Sequence, residues 1–513
     1  MQKNSAELAG SCLNCIKRNR RCDKAEPVCN ACIGAGLFCQ WHQHAGWSPL
    51  VSESPLSSHP DENEFSDGPC PALSHALCQI ISSPVWLDQV SQPYSSLVRQ
   101  DDHRLYCDSL IQTGRTLRTL TLDPGVISNT LPFIICQYVR FVQRIALKPL
   151  PGHFQDGLIV RSTASNMTFW SMFLAAQVYQ ALLNSFDQFG LNAYTRWIEQ
   201  LSRSIDIGSD RDLEFLEMKN RVTVLVDLIG LKLIMGENAS GYVLMKRAVP
   251  LIFHVAHSYP TIWTPSGTIS LPHAIKMPNS EIANFIWMDN LAALMLGTAT
   301  FLCYDAAPAQ TVPGNDELEW VFGCPGAFVI ILGRINALRS SILLRQNSIP
   351  SDMSSNLAAE IREWSSTIEQ STESCTAITR LVIQECWRHA LLIYLYMGVD
   401  KVNSTDFRVI SSVHQIVRLL GTIKNNSLVD RHLFVPSLIV GVSTQSEKHR
   451  GLVRKSLAGL SAVKIWILQG TEALSVLDHL WHGPGKGGSP VSWEDYVASR
   501  RAVLSVDEGS RSV

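Results

Sequence analysis

Residues 12–39 read CLNCIKRNRRCDKAEPVCNACIGAGLFC, and they hold six of the 14 cysteines in a chain of 513 residues. The spacing is C-x2-C-x6-C-x6-C-x2-C-x6-C, which makes two similar halves. Crowded cysteines of this kind indicate a disulfide framework, a redox motif or a metal site. The surrounding residues decide between these three.

A metal site accounts for all six cysteines. A disulfide framework requires an oxidising compartment, and the opening MQKNSAELAGSC has no apolar core, so a secretory signal is not expected. A thioredoxin-type pair uses two cysteines and leaves four unexplained. Zinc prefers tetrahedral thiolate coordination. Two such ions need about eight ligand positions, which six thiolates fill when two of them bridge both ions.

The stretch resembles the fungal zinc binuclear cluster, the six-cysteine DNA-binding domain of fungal transcription factors. The likeness includes Asp23 directly after the third cysteine, Pro27 in the loop and the second CxxC. It implies that the first and fourth cysteines bridge two Zn²⁺ ions, and that zinc supplies the folding free energy of so small a module. The implied ligands are Cys12, Cys15, Cys22, Cys29, Cys32 and Cys39.

A basic run between the second and third cysteines predicts contact with DNA. A short helix carrying this charge suits the major groove, with some side chains on phosphates and one or two on base edges. KRNRR also suits a nuclear import signal, and a solvated basic face is the alternative without DNA. The candidate DNA-binding residues are Lys17, Arg18, Asn19, Arg20, Arg21 and Lys24.

The resembling family usually carries basic residues at offsets +1, +3, +4 and +6 from the second cysteine. Those positions are Ile16, Arg18, Asn19 and Arg21 here, so two fit and two depart. Family members typically read CGG-type triplets. Because asparagine pairs with adenine and arginine with guanine, Asn19 predicts a site that differs from that triplet.

Composition divides the remaining chain. Residues 1–11 are expected to be a disordered N-terminus, 40–96 a Ser/Pro-rich and largely disordered linker, and 501–513 a tail. No apolar heptad follows the cluster, so a coiled coil is not predicted there. Residues 97–500 predict a large all-α domain, and no fixed-period repeat indicates a solenoid.

Helical periodicity supports this fold class. In the segment 165–186, the residues Phe169, Met172, Phe173, Ala176, Tyr179 and Leu183 recur at steps of three and four. The apolar segment 285–304 contains Asp289 and Asn290 and is interpreted as a buried helix, not a membrane span. The eight cysteines outside the cluster are expected to be buried thiols of an intracellular protein. The glycine-rich stretch 482–490 is predicted to be a turn, since it lacks phosphate-loop spacing.

Several stretches resemble the regulatory, fungal-specific transcription factor domain that accompanies such clusters. Their side chains are expected to be core and interface groups, with Arg388 and His389 as satisfied structural polar groups. A pocket for a small-molecule inducer is an option the helices leave open. The resembling segments are 319–339, 385–399, 432–457, LDHLWHG and VSWEDYV.

The resulting hypothesis is a nuclear, zinc-dependent, sequence-specific regulator of RNA polymerase II promoters. The formal net charge of the chain is −2, so its DNA affinity must be local. The resemblance implies control of one dedicated pathway, such as a secondary-metabolite cluster. It leaves open contacts with the transcription machinery, an inducer and a second copy, and implies no membrane partner. The alternative is an interaction scaffold with a purely structural zinc module; no enzyme motif was found.

Overall fold

A computed structural model describes residues 127–506 of the chain, with short gaps at 148–149, 151, 153, 185–187, 206–213, 278–280, 306–318, 320, 345–350, 367–373, 423–430, 460–467 and 505. The cysteine module and the linker lie outside the described residues, as does the tail beyond 506. The predictions made for those segments therefore stay predictions. The description below concerns the unit Ile134–Val513 together with the helix that leads into it.

The described residues confirm the prediction of a large all-helical region. Their only β-type pairings are two isolated bridges, Trp263 with Ile269 and Ile269 with Tyr304. Short 3₁₀ turns occur at Pro260–Ile262 and Lys486–Gly488. The α-helices are α1 Ile127–Ile145, α2 Phe154–Ser162, α3 Asn166–Leu183, α4 Gln188–Ser204, α5 Phe215–Met235, α6 Asn238–His257, α7 Leu271–Ile275, α8 Glu281–Leu296, α9 Gly326–Leu343, α10 Ser351–Glu363, α11 Ser374–Gly398, α12 Phe407–Thr422, α13 Phe434–Ser443, α14 Glu447–Ala458, α15 Gly470–His482 and α16 Trp493–Val503.

Two long helices organise the core. Helix α5 packs against α3, α4, α6 and α8, whereas α11 packs against α9, α10, α12, α13 and α16. The contact of α8 with both α5 and α9 joins the two groups. Trp387 and Tyr394 of α11 are fully buried, whereas the first part of the helix exposes Ile378 and Leu381.

Helix α3 confirms the periodic pattern of residues 165–186. Ser165 caps its start by accepting a hydrogen bond of 3.0 Å from the Thr168 N–H. Phe169, Met172 and Phe173 are buried, as predicted. Burial also extends to Leu174, Ala175 and Val178 on other faces of the helix. The predicted stripe is therefore part of a helix that is buried nearly all round.

The apolar segment 285–304 forms a buried helix only in its first part. Helix α8 ends at Leu296, and Gly297 then adopts a left-handed φ of 69°. A Cβ on Gly297 would lie 2.2 Å from Val497 Cγ2, so α16 packs directly against this turn. The segment after the glycine returns along the domain and makes the bridge at Tyr304. The prediction of a continuous helix to 304 was wrong, because the turn is fixed by a distant contact.

Helix α9 is the described helix that is long and apolar enough to cross a membrane. However, 67% of it is buried inside the protein, which is typical of a core helix. The stretch 482–490 forms a turn and a 3₁₀ segment after α15, with Gly487 and Gly488 in left-handed conformations. The turn prediction is confirmed: a helix, not a strand, precedes it.

Two further details differ from expectation. Helix α16 continues to Val503, three residues beyond the expected domain end at 500. Among the described cysteines outside the module, Cys324 and Cys386 are buried and Cys136 is partly buried, but Cys303 is exposed. Cys303 lies on the segment that returns after α8. Its exposure was not expected, because residues 285–304 were interpreted as one buried helix.

Candidate functional site

The residues predicted to bind zinc and DNA all lie outside the described residues. Only the sequence therefore supports their assignment as site residues. They are Cys12, Cys15, Cys22, Cys29, Cys32, Cys39, Lys17, Arg18, Asn19, Arg20, Arg21 and Lys24. The described part of the chain holds a second kind of candidate site, a set of buried polar side chains that join the helices of the C-terminal half.

Asp289 is the centre of one buried cluster. Its carboxylate accepts hydrogen bonds from the N–H groups of Phe301 (2.9 Å) and Leu302 (3.2 Å) and from the Tyr304 hydroxyl (2.7 Å). Burial raises the pKa of Asp289 to about 6, while these three donors oppose the rise. The carboxylate holds the segment that follows Gly297 against α8.

Asn336 connects three helices. Its Nδ2 group donates to the backbone oxygen of Asn290 (2.9 Å) and to Asn290 Oδ1 (2.9 Å). Its own Oδ1 accepts from the Tyr394 hydroxyl at 2.7 Å. Burial raises the pKa of Tyr394, which therefore stays a neutral donor. The network satisfies the buried amides and fixes α8, α9 and α11 relative to one another.

Helix α16 is tied to the end of α8. Tyr496 donates to the Met295 carbonyl at 2.5 Å, and Arg500 donates to the Leu296 carbonyl through Nε (3.1 Å) and Nη2 (2.7 Å). Arg500 is fully buried. A cation at a helix C-terminus satisfies the last carbonyl groups and opposes the partial negative charge of the helix dipole. The contact is therefore favourable although the guanidinium is buried.

A carboxylate is shared by two donors at the start of the C-terminal half. Glu319 Oε1 accepts from Arg380 Nη2 (2.8 Å) and from Gln384 Nε2 (2.7 Å). Ser366 donates to Gln384 Oε1 at 2.5 Å. Arg380 is 2% exposed, and its Nε and Nη1 atoms have no hydrogen-bond partner among the described residues. The cluster anchors the chain preceding α9 to α11.

In the N-terminal half, Asp227 of α5 joins α2 to α3. It forms an ion pair with Arg161 and accepts a hydrogen bond of 3.0 Å from Ser171. Burial raises the pKa of Asp227, and Arg161 and Ser171 oppose that shift. The arrangement is that of a paired buried charge, which positions helices at the expense of desolvation.

Two histidines, the half-buried His389 and the buried His432, are held neutral. Burial lowers the pKa of both His389 and His432 to about 4. His432 Nε2 lies 2.9 Å from the Ile145 carbonyl. Such groups position helices at neutral pH and do not exchange protons there.

The prediction that two polar groups of α11 are satisfied is confirmed in part for Arg388, whose Nε is buried without a partner among the described residues, and is wrong for His389. Arg388 donates to the Trp364 carbonyl at 2.5 Å, pairs with Glu385 at 3.2 Å and lies over the Trp364 ring. In contrast, His389 Nδ1 is buried and has no hydrogen-bond partner in the described part of the chain. Satisfaction of this ring nitrogen depends on neighbouring helices, which periodicity along α11 does not reveal.

The sequence carried a signal for part of the buried network. Asp289 and Asn290 interrupt an apolar run, and a polar pair inside such a run requires buried partners. No comparable signal identifies Asn336 or Arg500, because their partners lie far away in the chain. The partner carbonyl of Arg500 is 204 residues earlier.

Two family models match the chain. The model described as the fungal Zn(2)-Cys(6) binuclear cluster domain matches residues 10–48, and the fungal specific transcription factor domain matches residues 252–506. The first range contains all six cysteines and the basic run. The second begins inside α6, so helices α1–α5 precede it. No curated protein and no solved structure matches the chain.

The cluster match contains the predicted module 12–39, and the second match covers only the part of the predicted helical domain that follows residue 251. Both describe transcription factors and not enzymes, which is consistent with the buried polar groups as helix anchors. Zinc binding and DNA binding follow from the cluster domain. The chain therefore belongs to the fungal transcription regulators that combine a Zn(2)-Cys(6) binuclear cluster domain with a fungal specific transcription factor domain.

Proposed function

We propose that this protein acts in the nucleus as a sequence-specific regulator at RNA polymerase II promoters, and that it controls one dedicated metabolic pathway, such as a secondary-metabolite gene cluster. The observation that supports this most directly is the cysteine spacing of residues 12–39 inside the cluster match. The run KRNRR between the second and third cysteines supports both DNA contact and nuclear import.

The donor set of the module fits zinc. Six thiolates without histidine or carboxylate at the ligand spacing favour a soft, tetrahedral ion, and deprotonated cysteines are what zinc binds. In this proposal the six thiolates would hold two Zn²⁺ ions, whose binding would supply the folding free energy of the module. The cysteines would thereby fix the two halves of the module and position the basic run between them.

The basic residues then divide by role. Lys17, Arg20 and Lys24 contact phosphates, whereas Arg18 and Asn19 face base edges at the family's reading positions. Asn19 in place of a basic residue favours an adenine where relatives read guanine. The proposed target is thus a CGG-like triplet with one altered position.

In this proposal the helical domain regulates the transcriptional activity of the protein. An inducer, the transcription machinery or a second copy of the chain would act by shifting how these helices pack. Its buried polar clusters support a specifically packed domain, since each fixes helices from different parts of the sequence.

In vitro site selection with the full-length protein tests the proposal. A specific regulator should enrich one short motif, and its affinity for that motif should exceed its affinity for unrelated DNA by about 10³-fold or more. Affinity should also fall steeply with salt, because several phosphates are contacted. An interaction scaffold with a structural zinc module would enrich no motif, and that result would refute the proposal.

A further inference from the structure

Helix α6 presents a continuous exposed stripe that the buried networks do not use. Its members recur at steps of three and four, so they lie on one side of the helix. We call this stripe the α6 face. It consists of Val243, Lys246, Arg247, Pro250, Phe253, His254 and His257, all exposed.

The composition of the α6 face is one-sided. The 20 residues of α6 include no aspartate or glutamate, so Lys246 and Arg247 have no acidic neighbour on their own helix. Val243 and Phe253 are large apolar residues, yet they are 47% and 46% exposed. A solvated helix face normally carries charges of both signs and few large apolar groups. The α6 face carries no acidic residue and two large apolar residues.

Phe253 is held in place by its neighbours. Its ring lies 5.2 Å from that of Trp263 and 4.9 Å from that of His257. Trp263 is itself fixed, because its Nε1 donates to the Ala256 carbonyl at 2.9 Å. A partner that packs on Phe253 would therefore meet a preorganised ring cluster and lose less entropy on binding.

Pro250 adds a polar feature to the same face. Proline has no N–H, so the carbonyl of Lys246, one turn earlier, loses its helical donor. Two acids at the ends of α5 and α6 have partners of their own: Glu237 pairs with Lys232 at 2.9 Å, and Glu217 pairs with Arg221 at 3.1 Å. Neither acid forms an ion pair with a basic group of the α6 face in the part of the chain that the structure describes.

Arg247 keeps its charge available. Its Nη2 donates to the Ile205 carbonyl at 3.2 Å, which holds the guanidinium without neutralising it. The exposed acid Glu214 lies at the start of α5, next to Phe215, whose ring contacts Tyr259 beyond the end of α6.

We propose that the α6 face is a docking surface for an acidic peptide segment of a partner protein that carries an aromatic or large aliphatic anchor. The acidic side chains pair with Lys246 and Arg247, and the anchor packs on Phe253 and Val243. Charge complementarity selects this occupant, because the face offers cations and apolar surface but no acid. The site adds a protein partner to the proposed DNA-binding activity and does not depend on it.

Binding of a defined probe to the full-length protein tests the proposal. The probe is a fluorescein-labelled synthetic peptide of alternating aspartate and glutamate with one phenylalanine and one leucine, followed by fluorescence anisotropy. We expect saturable binding that weakens when NaCl rises from about 0.05 M to about 0.5 M. Phe253→Ser and Lys246→Glu should each weaken binding about tenfold. A control peptide with serine in place of phenylalanine and leucine should bind the unmodified protein as weakly as the original peptide binds these two variants.

Matched variants elsewhere on the domain serve as controls. Phe407→Ser replaces a phenylalanine that is 78% exposed at the start of α12, and Lys455→Glu reverses an exposed lysine of α14. Both should bind the probe like the unmodified protein. Unchanged circular dichroism and melting temperature of the α6 variants confirm that they fold.

Four results would overturn the proposal, and the last of them would assign the face to DNA. The first is absence of saturable binding, and the second is equal weakening by the control variants. The third is a change in molecular mass by light scattering in Phe253→Ser, which would identify a second copy of the chain as the occupant. Loss of specific DNA binding in Lys246→Glu with unchanged peptide binding would assign the face to DNA instead.

Discussion

Arg500 donates two hydrogen bonds to the carbonyl oxygen of Leu296, from the last helix to the end of a helix 204 residues earlier. The guanidinium is fully buried, and it ends α8 in the way that a C-terminal cap does. The same helix reaches α8 a second time through Tyr496 and the Met295 carbonyl. The C-terminal helix is therefore an integral part of the domain core.

Replacement of Arg500 by leucine should lower the free energy of unfolding by about 3 kcal/mol, because it removes charged hydrogen bonds and leaves a buried carbonyl unsatisfied. Denaturant unfolding measures the loss. Arg501→Leu changes an exposed arginine of the same helix and should alter stability by about 0.5 kcal/mol or less. Equal losses of unfolding free energy in the two variants would show that the buried contact of Arg500 does not stabilise the domain.

Gly297→Ala should be destabilising for two separable reasons. The left-handed φ of 69° costs an alanine about 1 kcal/mol, and its Cβ would overlap Val497, at a further cost of about 2 kcal/mol. In a Val497→Ala background only the first cost should remain. A double-mutant cycle on denaturant unfolding measures the difference. The same cost in both backgrounds would mean that the overlap between the new Cβ and Val497 does not contribute to the loss of stability.

Asp289 should make stability depend on pH. Burial raises its pKa to about 6, above the unfolded value of about 3.9, so the folded chain binds the proton more tightly. Its ionisation between about pH 4 and pH 6 therefore lowers the free energy of unfolding, by up to about 3 kcal/mol. Relative to Asp289→Asn, which does not titrate, the unmodified protein should gain stability as pH falls through that window.

Asp406 provides the control of opposite sign for that measurement. A hydrogen bond from Arg408 lowers the pKa of Asp406 below its usual value. Its stabilising contribution is present above the unfolded pKa and is lost as pH falls through the folded one. Relative to Asp406→Asn, the unmodified protein should therefore lose stability on acidification. A shared sign for both aspartates would contradict the assignment of Asp289 as a desolvated acid.

Zinc removal should separate the two domains. A strong chelator is expected to abolish specific DNA binding while the far-ultraviolet circular dichroism of the helical domain persists, because metal binding supplies folding free energy only to the module. Mass spectrometry of the untreated protein should find about two zinc ions per chain. Cys22→Ser should lose zinc, whereas Cys303→Ser, an exposed thiol of the helical domain, should retain it. Retained zinc in Cys22→Ser would contradict the ligand assignment.

The basic run should contain two kinds of DNA contact. Lys17→Ala is expected to weaken binding to all sequences alike and to reduce the salt dependence by about one phosphate contact. Arg18→Ala should cost about 1–3 kcal/mol and relax preference at one position of the site. Site selection with each variant, compared with the unmodified protein, distinguishes the two. Uniform weakening by both would show that neither residue reads a base.

The spacing of six cysteines and the periodicity of the helices are local patterns, and for that reason the sequence alone determined the zinc module, its DNA-binding role and the all-helical class of the large domain. Metal ligands that lie within 28 residues can be recognised without knowledge of distant contacts. The spacing of apolar residues likewise identifies the helix that contains them. The same local logic predicted the turn after α15.

Tertiary structure alone decided where α8 ends, which polar groups pair, and what remains exposed. The turn at Gly297 depends on Val497, the Leu296 carbonyl depends on Arg500, and Asn336 depends on Tyr394. Each partner lies far away in the sequence, so no periodicity along one helix encodes it. The exposure of Phe253 is likewise set by the way neighbouring helices pack around α6, since an apolar residue in the sequence carries no mark of whether a neighbour covers it.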